Sequence, residues 1–288
     1  MNKFLFSRIK VIIDEKVGSM VRSSITSIVV RKPLDSEVSQ MMSNINRVYG
    51  TTKANRMKIR LLANEMLRLL KINLSYKDLS MLTGIPESVL CRYVRGNIIP
   101  SYEQAVNILS KLTLSIDINH LLRELVEHEK STLIDLSRVL KDPYVIRLLS
   151  IVLLLELVPT NITKIVVTAE SVLPLGTLLG MELGAPIILV KRRSYPGVQY
   201  FSSIVVRTPK EAEALYLDKD MLSRKDFVLI LADVVYSGKT MRAVIDMLEK
   251  ARVTISDIIV ILGLGEMWKE RLKDYPVKTL TIIPPPVS

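Results

Sequence analysis

The chain has one cysteine in 288 residues, Cys91, so no intrachain disulfide framework exists. Its two histidines, His120 and His128, stand on a Leu- and Glu-rich stretch at a spacing unsuited to ligand pairing within one helical turn. Neither points to a metal centre or to imidazole catalysis. Long apolar runs are missing as well. The longest, Val145 to Val158, contains Arg147 and Glu156 and falls short of the roughly 20 residues that a bilayer requires, so it is expected to be a core helix with no membrane role. No secretory signal pattern is visible, and the expectation is a cytoplasmic protein. Acidic residues are scarce in one part only. Residues 1–100 hold 17 Lys/Arg against 7 Asp/Glu, whereas residues 101–288 hold 23 against 22, so nearly all of the formal charge of +11 is N-terminal. A basic domain joined to a near-neutral one suits contact with a polyanion, nucleic acid first, and the length allows two domains.

The N-terminal part begins with a segment, residues 1–50, to which no role is assigned; Ile9 to Ile13 and Val21 to Val30 are candidate strands of a pair. Residues 51–116 are expected to be helical. Ile59, Leu62, Met66 and Leu69 recur at spacings of three and four. A short helix follows Ser75, a plausible N-cap, and Gly84 ends it; another starts at Pro86 and runs to Gly96, and Ser101 caps a fourth. The spacing of Ser80, Gly84, Ile85, Leu90 and Tyr93 resembles a helix-turn-helix of the Cro/repressor type. That resemblance implies double-stranded DNA as partner, with Ser88, Arg92 and Arg95 as base or phosphate contacts supported by Lys77 and Asn97. Residues 117–130 are expected to be a helical linker.

Residues 131–288 alternate strand and helix, the pattern of an α/β domain with a mostly parallel sheet. Expected strands are Lys164–Thr168, Pro186–Val190, Val228–Leu231, Asp257–Leu262 and Val277–Ile283, with helices at Pro174–Leu183 and up to Lys250. Lys191 to Arg207 is expected to be a polar insertion acting as a lid. The most informative stretch is VLILADVVYSGKT, Val228 to Thr240. A continuous apolar run delivers Asp233 to the C-terminal end of a buried strand, where open α/β sheets bind ligands. Val234, Val235, Tyr236, Ser237, Gly238, Lys239 and Thr240 then turn into a helix whose first N–H groups favour an anion. A Walker A loop is excluded, because its first glycine would have to stand where Asp233 does.

This block resembles the PRPP-binding motif of type I phosphoribosyltransferases, in which two adjacent acids hold the ribose hydroxyls ahead of a phosphate loop. Here the first acid is replaced by Ala232 and the second is Asp233. Ala169, Glu170 and Ser171 are similar to the family's pyrophosphate loop, and Lys191 and Arg192 to its basic turn. The resemblance implies a domain that binds PRPP or a nucleotide, with Mg²⁺ accompanying PRPP and no metal site of the protein's own. Together with the helical part, the chain resembles archaeal regulators that join a repressor-type domain to such a fold. The expected protein is a homodimeric transcription regulator of nucleotide or related metabolic genes, with no assigned catalytic residue. The alternative is an active purine or pyrimidine phosphoribosyltransferase that also binds nucleic acid.

Overall fold

The computed structural model describes residues 30–128, 136–157, 161–208 and 210–285. The chain divides into two compact units, Met1–His128 and Glu129–Ser288.

Six helices are described in the first unit: α1 (Asp35–Tyr49), α2 (Lys53–Lys71), α3 (Tyr76–Thr83), α4 (Glu87–Val94), α5 (Tyr102–Ser115) and α6 (Ile118–His128). Each start has a local cause. The Thr52 hydroxyl accepts from the Asn55 N–H, Ser101 accepts from Gln104, and Ser75 and Asp78 cap α3 reciprocally. α2 buries Ile59, Leu62, Ala63, Met66, Leu67 and Leu70 against α4 and α5. Gly84, at φ +76°, closes α3 in the left-handed conformation and sends the chain into α4. α4 then turns Leu90 and Tyr93 inward.

One expectation lies outside the described residues, and two others are redrawn here. The proposed strand at Ile9 to Ile13 and nearly all of that at Val21 to Val30 lie outside the described residues; Val30 itself bridges Ile116. Residues 35–49, left without assignment from sequence, are helix α1, which buries only Val38, Met41, Ile45 and Tyr49 and packs on α5. The stretch expected to be a linker also differs, because α6 ends the first unit with Leu121, Leu122, Leu125 and Val126 buried.

The second unit begins with α7 (Leu136–Val139) and α8 (Pro143–Leu157). α8 is apolar on nearly all sides, as suits a core helix, with Arg147 and the exposed Glu156 its charged residues. Its Arg147 meets Glu182 at 3.1 Å. Then come β1 (Lys164–Val167), a 3₁₀ turn at Glu170–Val172, α9 (Leu173–Leu183), β2 (Ile187–Leu189), β3 (Tyr200–Thr208), β4 (Glu211–Asp218) and β5 (Phe227–Val235). The chain continues through α10 (Lys239–Ala251), β6 (Thr254–Leu264), α11 (Met267–Arg271) and β7 (Val277–Ile283). Five strands form a parallel sheet in the order β2-β1-β5-β6-β7. From β1 the chain crosses outward to β2, and from β5 it crosses the opposite way to β6. The loops after β1 and β5 therefore diverge, and a crevice opens between them at the carboxyl end of the sheet.

β3 and β4 pair antiparallel into a separate two-stranded ribbon. The polar insertion expected at Lys191 to Arg207 is thus half strand. Its inward residues Phe201 and Val205, with Leu215 and Leu217 of β4, pack into one core with α10 and the sheet face carrying Val228, Ile230 and Ala232. The exposed Ile204 and Val206 on the other side blurred the alternation by which a half-buried strand is recognised.

Candidate functional site

β5 brings Asp233 to the crevice, and the following loop lays residues 234–238 across it. Gly238, at φ +74°, is the residue before α10; a side chain there would adopt a strained backbone and meet Trp268 and Leu272 at 3.4 Å. The first N–H groups of α10 have no partner within the helix and carry its positive dipole end. Beside them lies a pocket of about 280 Å³, walled by residues 232–241, by Thr168 and Ala169 after β1, by Arg192 after β2 and by Arg207 on β3.

Asp233 is held by both oxygens. Ser171 Oγ donates to Oδ2 at 2.7 Å and the Val234 N–H donates to Oδ1 at 2.7 Å. The loop after β1 therefore fixes the carboxylate of the loop after β5, and lone pairs on both oxygens remain for a hydroxyl-bearing ligand. Ala232 is 2% exposed; it joins the apolar core and also lines the pocket. The pocket thus has one carboxylate on this strand end.

Arg192 donates from Nε to Glu213 Oε1 at 2.6 Å and from NH1 to the Thr168 carbonyl at 3.3 Å. Arg207 donates to Glu213 Oε2 from Nε at 3.1 Å and from NH2 at 2.5 Å. Burial of Glu213 opposes its ionisation, but the hydrogen bonds from Arg207 and the charge of Arg192 outweigh it, and its carboxyl is held below the usual range. Lys239 Nζ donates to the Val206 carbonyl at 2.9 Å, and Arg271 donates to the Ser237 carbonyl.

Of the residues singled out from sequence, Asp233 to Thr240, Ala169 and Arg192 come together around the pocket. Ser171 acts through Asp233. Glu170 is exposed and does not line the pocket. Lys191 does not line it either: its ammonium lies 5.3 Å from the Tyr195 ring centroid and 5.6 Å from that of Tyr200. Arg207 and Glu213 were missed. Their signal was the alternation Phe201, Val205, Arg207 on one strand and Glu213, Leu215, Leu217 on the next. Among the described residues no group of three His, Cys, Asp or Glu gathers to hold a metal.

In the first unit Ser88, Arg92 and Arg95 are exposed along one face of α4 and its C-cap, with Lys77 on α3 and Asn97 beyond α4 exposed as well. Other polar residues of this unit, most of them basic, are structural. Arg60, Asn64 and Arg68, spaced four apart on α2, donate to the carbonyls of Pro100, Ile98 and Val94 at 2.7, 3.4 and 2.9 Å, clamping the chain that leaves α4. Arg56 stacks on Tyr102, 4.5 Å from its centroid, and pairs with Glu103 at 3.0 Å. Part of the positive charge counted in the sequence is therefore already occupied. Cys91 packs beside Tyr76, whose hydroxyl is pushed to higher pKa by burial and by the thiol.

No family model matches the chain. It is similar to hypoxanthine/guanine phosphoribosyltransferase of Methanocaldococcus vulcanius, 36% identical over 144 residues that make up 45% of this chain and 75% of that protein. It is also similar to the enzymes of the same description from Aciduliprofundum boonei, 32% identical with 43% of this chain and 65% of that one covered, and from Methanocella paludicola, 36% identical with 42% and 62% covered. The chain thus spans less than two thirds of the length of these last two. Among solved structures, adenine phosphoribosyltransferase from Rhodothermus marinus aligns over 52% of this chain and 85% of that one at 26% identity, with a TM-score of 0.45. The strand, acid, glycine loop and helix lie in the second unit, and the chain belongs to the phosphoribosyltransferase family.

Proposed function

We propose that the protein is a transcription regulator whose phosphoribosyltransferase-like unit binds a ribose-5-phosphate compound, PRPP or a nucleotide, and whose first unit binds double-stranded DNA as one half of a homodimer. Ala232 is the observation that carries the non-enzymatic assignment. Ribose binding tolerates the loss of one carboxylate, of order 1.5–3 kcal/mol, more readily than transfer does, since an ångström of misplacement at the reacting carbon costs on the order of a hundredfold in rate. Asp233 stays oriented for a ribose hydroxyl, and the loop and α10 favour a phosphate. Mg²⁺ accompanying PRPP would be held chiefly by the ligand's own phosphates, and Asp233, which lines the pocket, is the side chain that could offer it a carboxylate oxygen.

For DNA, α3, Gly84 and α4 have the lengths and turn of a helix-turn-helix, and the exposed Ser88, Arg92 and Arg95 form the face that would enter a major groove. A ligand alters DNA binding only by its different affinity for two states of the dimer. The test is calorimetry with PRPP, bases and nucleotides, followed by gel-shift titration on the protein's own upstream DNA at several salt concentrations. A protected duplex site and ligand-dependent affinity support the proposal. Equal affinity for random DNA at moderate salt overturns it.

A second function, active hypoxanthine/guanine phosphoribosyl transfer, is favoured by the 36% identity to enzymes of that description. Turnover of roughly 1–1,000 per second with a common base would establish it.

A further inference from the structure

A second pocket, of about 410 Å³, adjoins the first along the turn at Tyr236 and Ser237. The two share those residues with Arg207 and Lys239. Asp233, Gly238 and Thr240 line only the first, whereas Val205 on β3 and Met267 and Arg271 on α11 line only the second. The crevice that holds the carboxylate and the start of α10 is thus continued by a separate space walled by the ribbon and α11.

The charge of this second space is of one sign. Arg207, Lys239 and Arg271 line it, and among the described residues no carboxylate does. Two of the cations are fixed by neutral acceptors: Lys239 Nζ donates to the Val206 carbonyl at 2.9 Å, and Arg271 donates from NH1 to the Ser237 carbonyl. The lysines that flank Arg271 in sequence behave otherwise. Lys269 pairs with Glu266, and Lys273 with Glu270 at 3.0 Å, so the carboxylates of this segment engage the lysines and not Arg271. Arg207 gives Nε and NH2 to Glu213, a residue that lines neither pocket, and its NH1 makes no bond among the described residues. A hydrogen bond to a carbonyl fixes a cation without neutralising it. Three such charges around one space repel one another, and an anion placed among them turns that repulsion into attraction.

We infer that this pocket takes the outer phosphates of a nucleoside 5′-diphosphate or 5′-triphosphate, so that the second unit binds such nucleotides more tightly than the monophosphates. The inference rests on the proposal above that Asp233 and the loop hold a ribose 5-phosphate. With the ribose at Asp233 and its phosphate on the first N–H groups of α10, the next phosphate is one bridging oxygen further on, and Lys239 borders both spaces. Arg271 meets only a ligand that extends beyond the first phosphate, because it lines the second pocket alone. A lysine as a point charge beside two arginine forks suits a chain of phosphate oxygens. The preference concerns the 5′ end of the sugar and is independent of any group on C1.

The experiment is calorimetry on the full-length protein with AMP, ADP, ATP, GMP, GDP and GTP, with no divalent cation added, for the wild type, Arg271→Gln and Asp233→Ala. The wild type is expected to bind the diphosphate of its preferred base roughly tenfold more tightly than the monophosphate. Arg271→Gln, which keeps a donor for the Ser237 carbonyl and removes the charge, is expected to narrow that ratio to about threefold or less. Wild-type diphosphates and triphosphates that bind no more tightly than the monophosphates overturn the inference, whatever the variant does, so the result does not depend on the variant folding. An equal loss for all phosphate lengths in Arg271→Gln shows that Arg271 only ties down the loop and overturns the assignment of the second pocket. Failure of the underlying reading looks different. If no nucleotide binds the wild type, both fall; if Asp233→Ala binds every nucleotide unchanged while the diphosphate advantage persists, the ribose assignment falls alone.

Discussion

Asp233→Ala separates ligand binding from stability. The substitution deletes the acceptors for Ser171 Oγ and the Val234 N–H, each at 2.7 Å, along with the carboxylate proposed to meet a ribose hydroxyl. Val234 lines the pocket and Ser171 is only half-buried, so water can replace the lost acceptors and the folded state is expected to lose about 1 kcal/mol or less. The ligand loses a charge-assisted hydrogen bond of about 1.5–3 kcal/mol, which raises the dissociation constant by roughly ten- to a hundredfold. Thermal melts with and without a nucleoside monophosphate read both quantities at once. At a ligand concentration of about 100 times the dissociation constant the wild type gains about 2.7 kcal/mol. A variant whose constant has risen about 30-fold gains only about 0.9 kcal/mol at the same concentration. Asp233→Asn keeps an acceptor for Ser171 and is expected to fall between the two. A folded Asp233→Ala protein stabilised by ligand as strongly as the wild type would refute the assignment of this carboxylate.

Arg92→Ala and Arg95→Ala are expected to weaken DNA binding without lowering the melting temperature by more than a few degrees, since both side chains are exposed; gel shifts on specific and random duplexes tell a base contact, lost at one position, from a phosphate contact, lost on all sequences. Gly238→Ala places a Cβ on a left-handed backbone, with a cost of about 1 kcal/mol or more, and should lower the melting temperature by about 2–4 °C while weakening phosphate binding by calorimetry. Asp257 has its carboxyl pushed above the usual range by burial, only partly relieved by Lys278, and its Oδ2 has no hydrogen-bond partner. The folded state therefore binds this proton more tightly than the unfolded state does, and stability falls as pH rises from the ordinary aspartate value through the raised one. Asp257→Asn should accordingly melt higher than wild type at neutral pH and lose that advantage in acid; an equal difference at both pH values would rule out ionisation as the cause.

What could be read from sequence was what the chain states locally. From Val228 to Thr240 the strand, its acid, the left-handed glycine and the helix start occupy thirteen consecutive residues, and β5, the loop and α10 form there with nothing distant required. The same holds for Ser75, Gly84 and Ser101, whose capping bonds span only three or four residues. The Arg192–Glu213–Arg207 cluster escaped notice because its parts stand 21 and 6 residues apart and meet only once β3 and β4 have paired. β4 itself carries Glu211, Glu213 and Asp218 among its apolar residues, which hides its inward face until Leu215 and Leu217 are seen in the core. α1 shows the complementary limit. Its buried face is a single row of four residues, and Met42 and the exposed Val48 lie off that row, which blurs the helical period until the α5 surface that it covers is seen. Charge misled in the same way. A total of Lys and Arg does not reveal that Arg60 and Arg68 are committed to backbone carbonyls, so fewer of the basic side chains counted in the sequence are open to a polyanion.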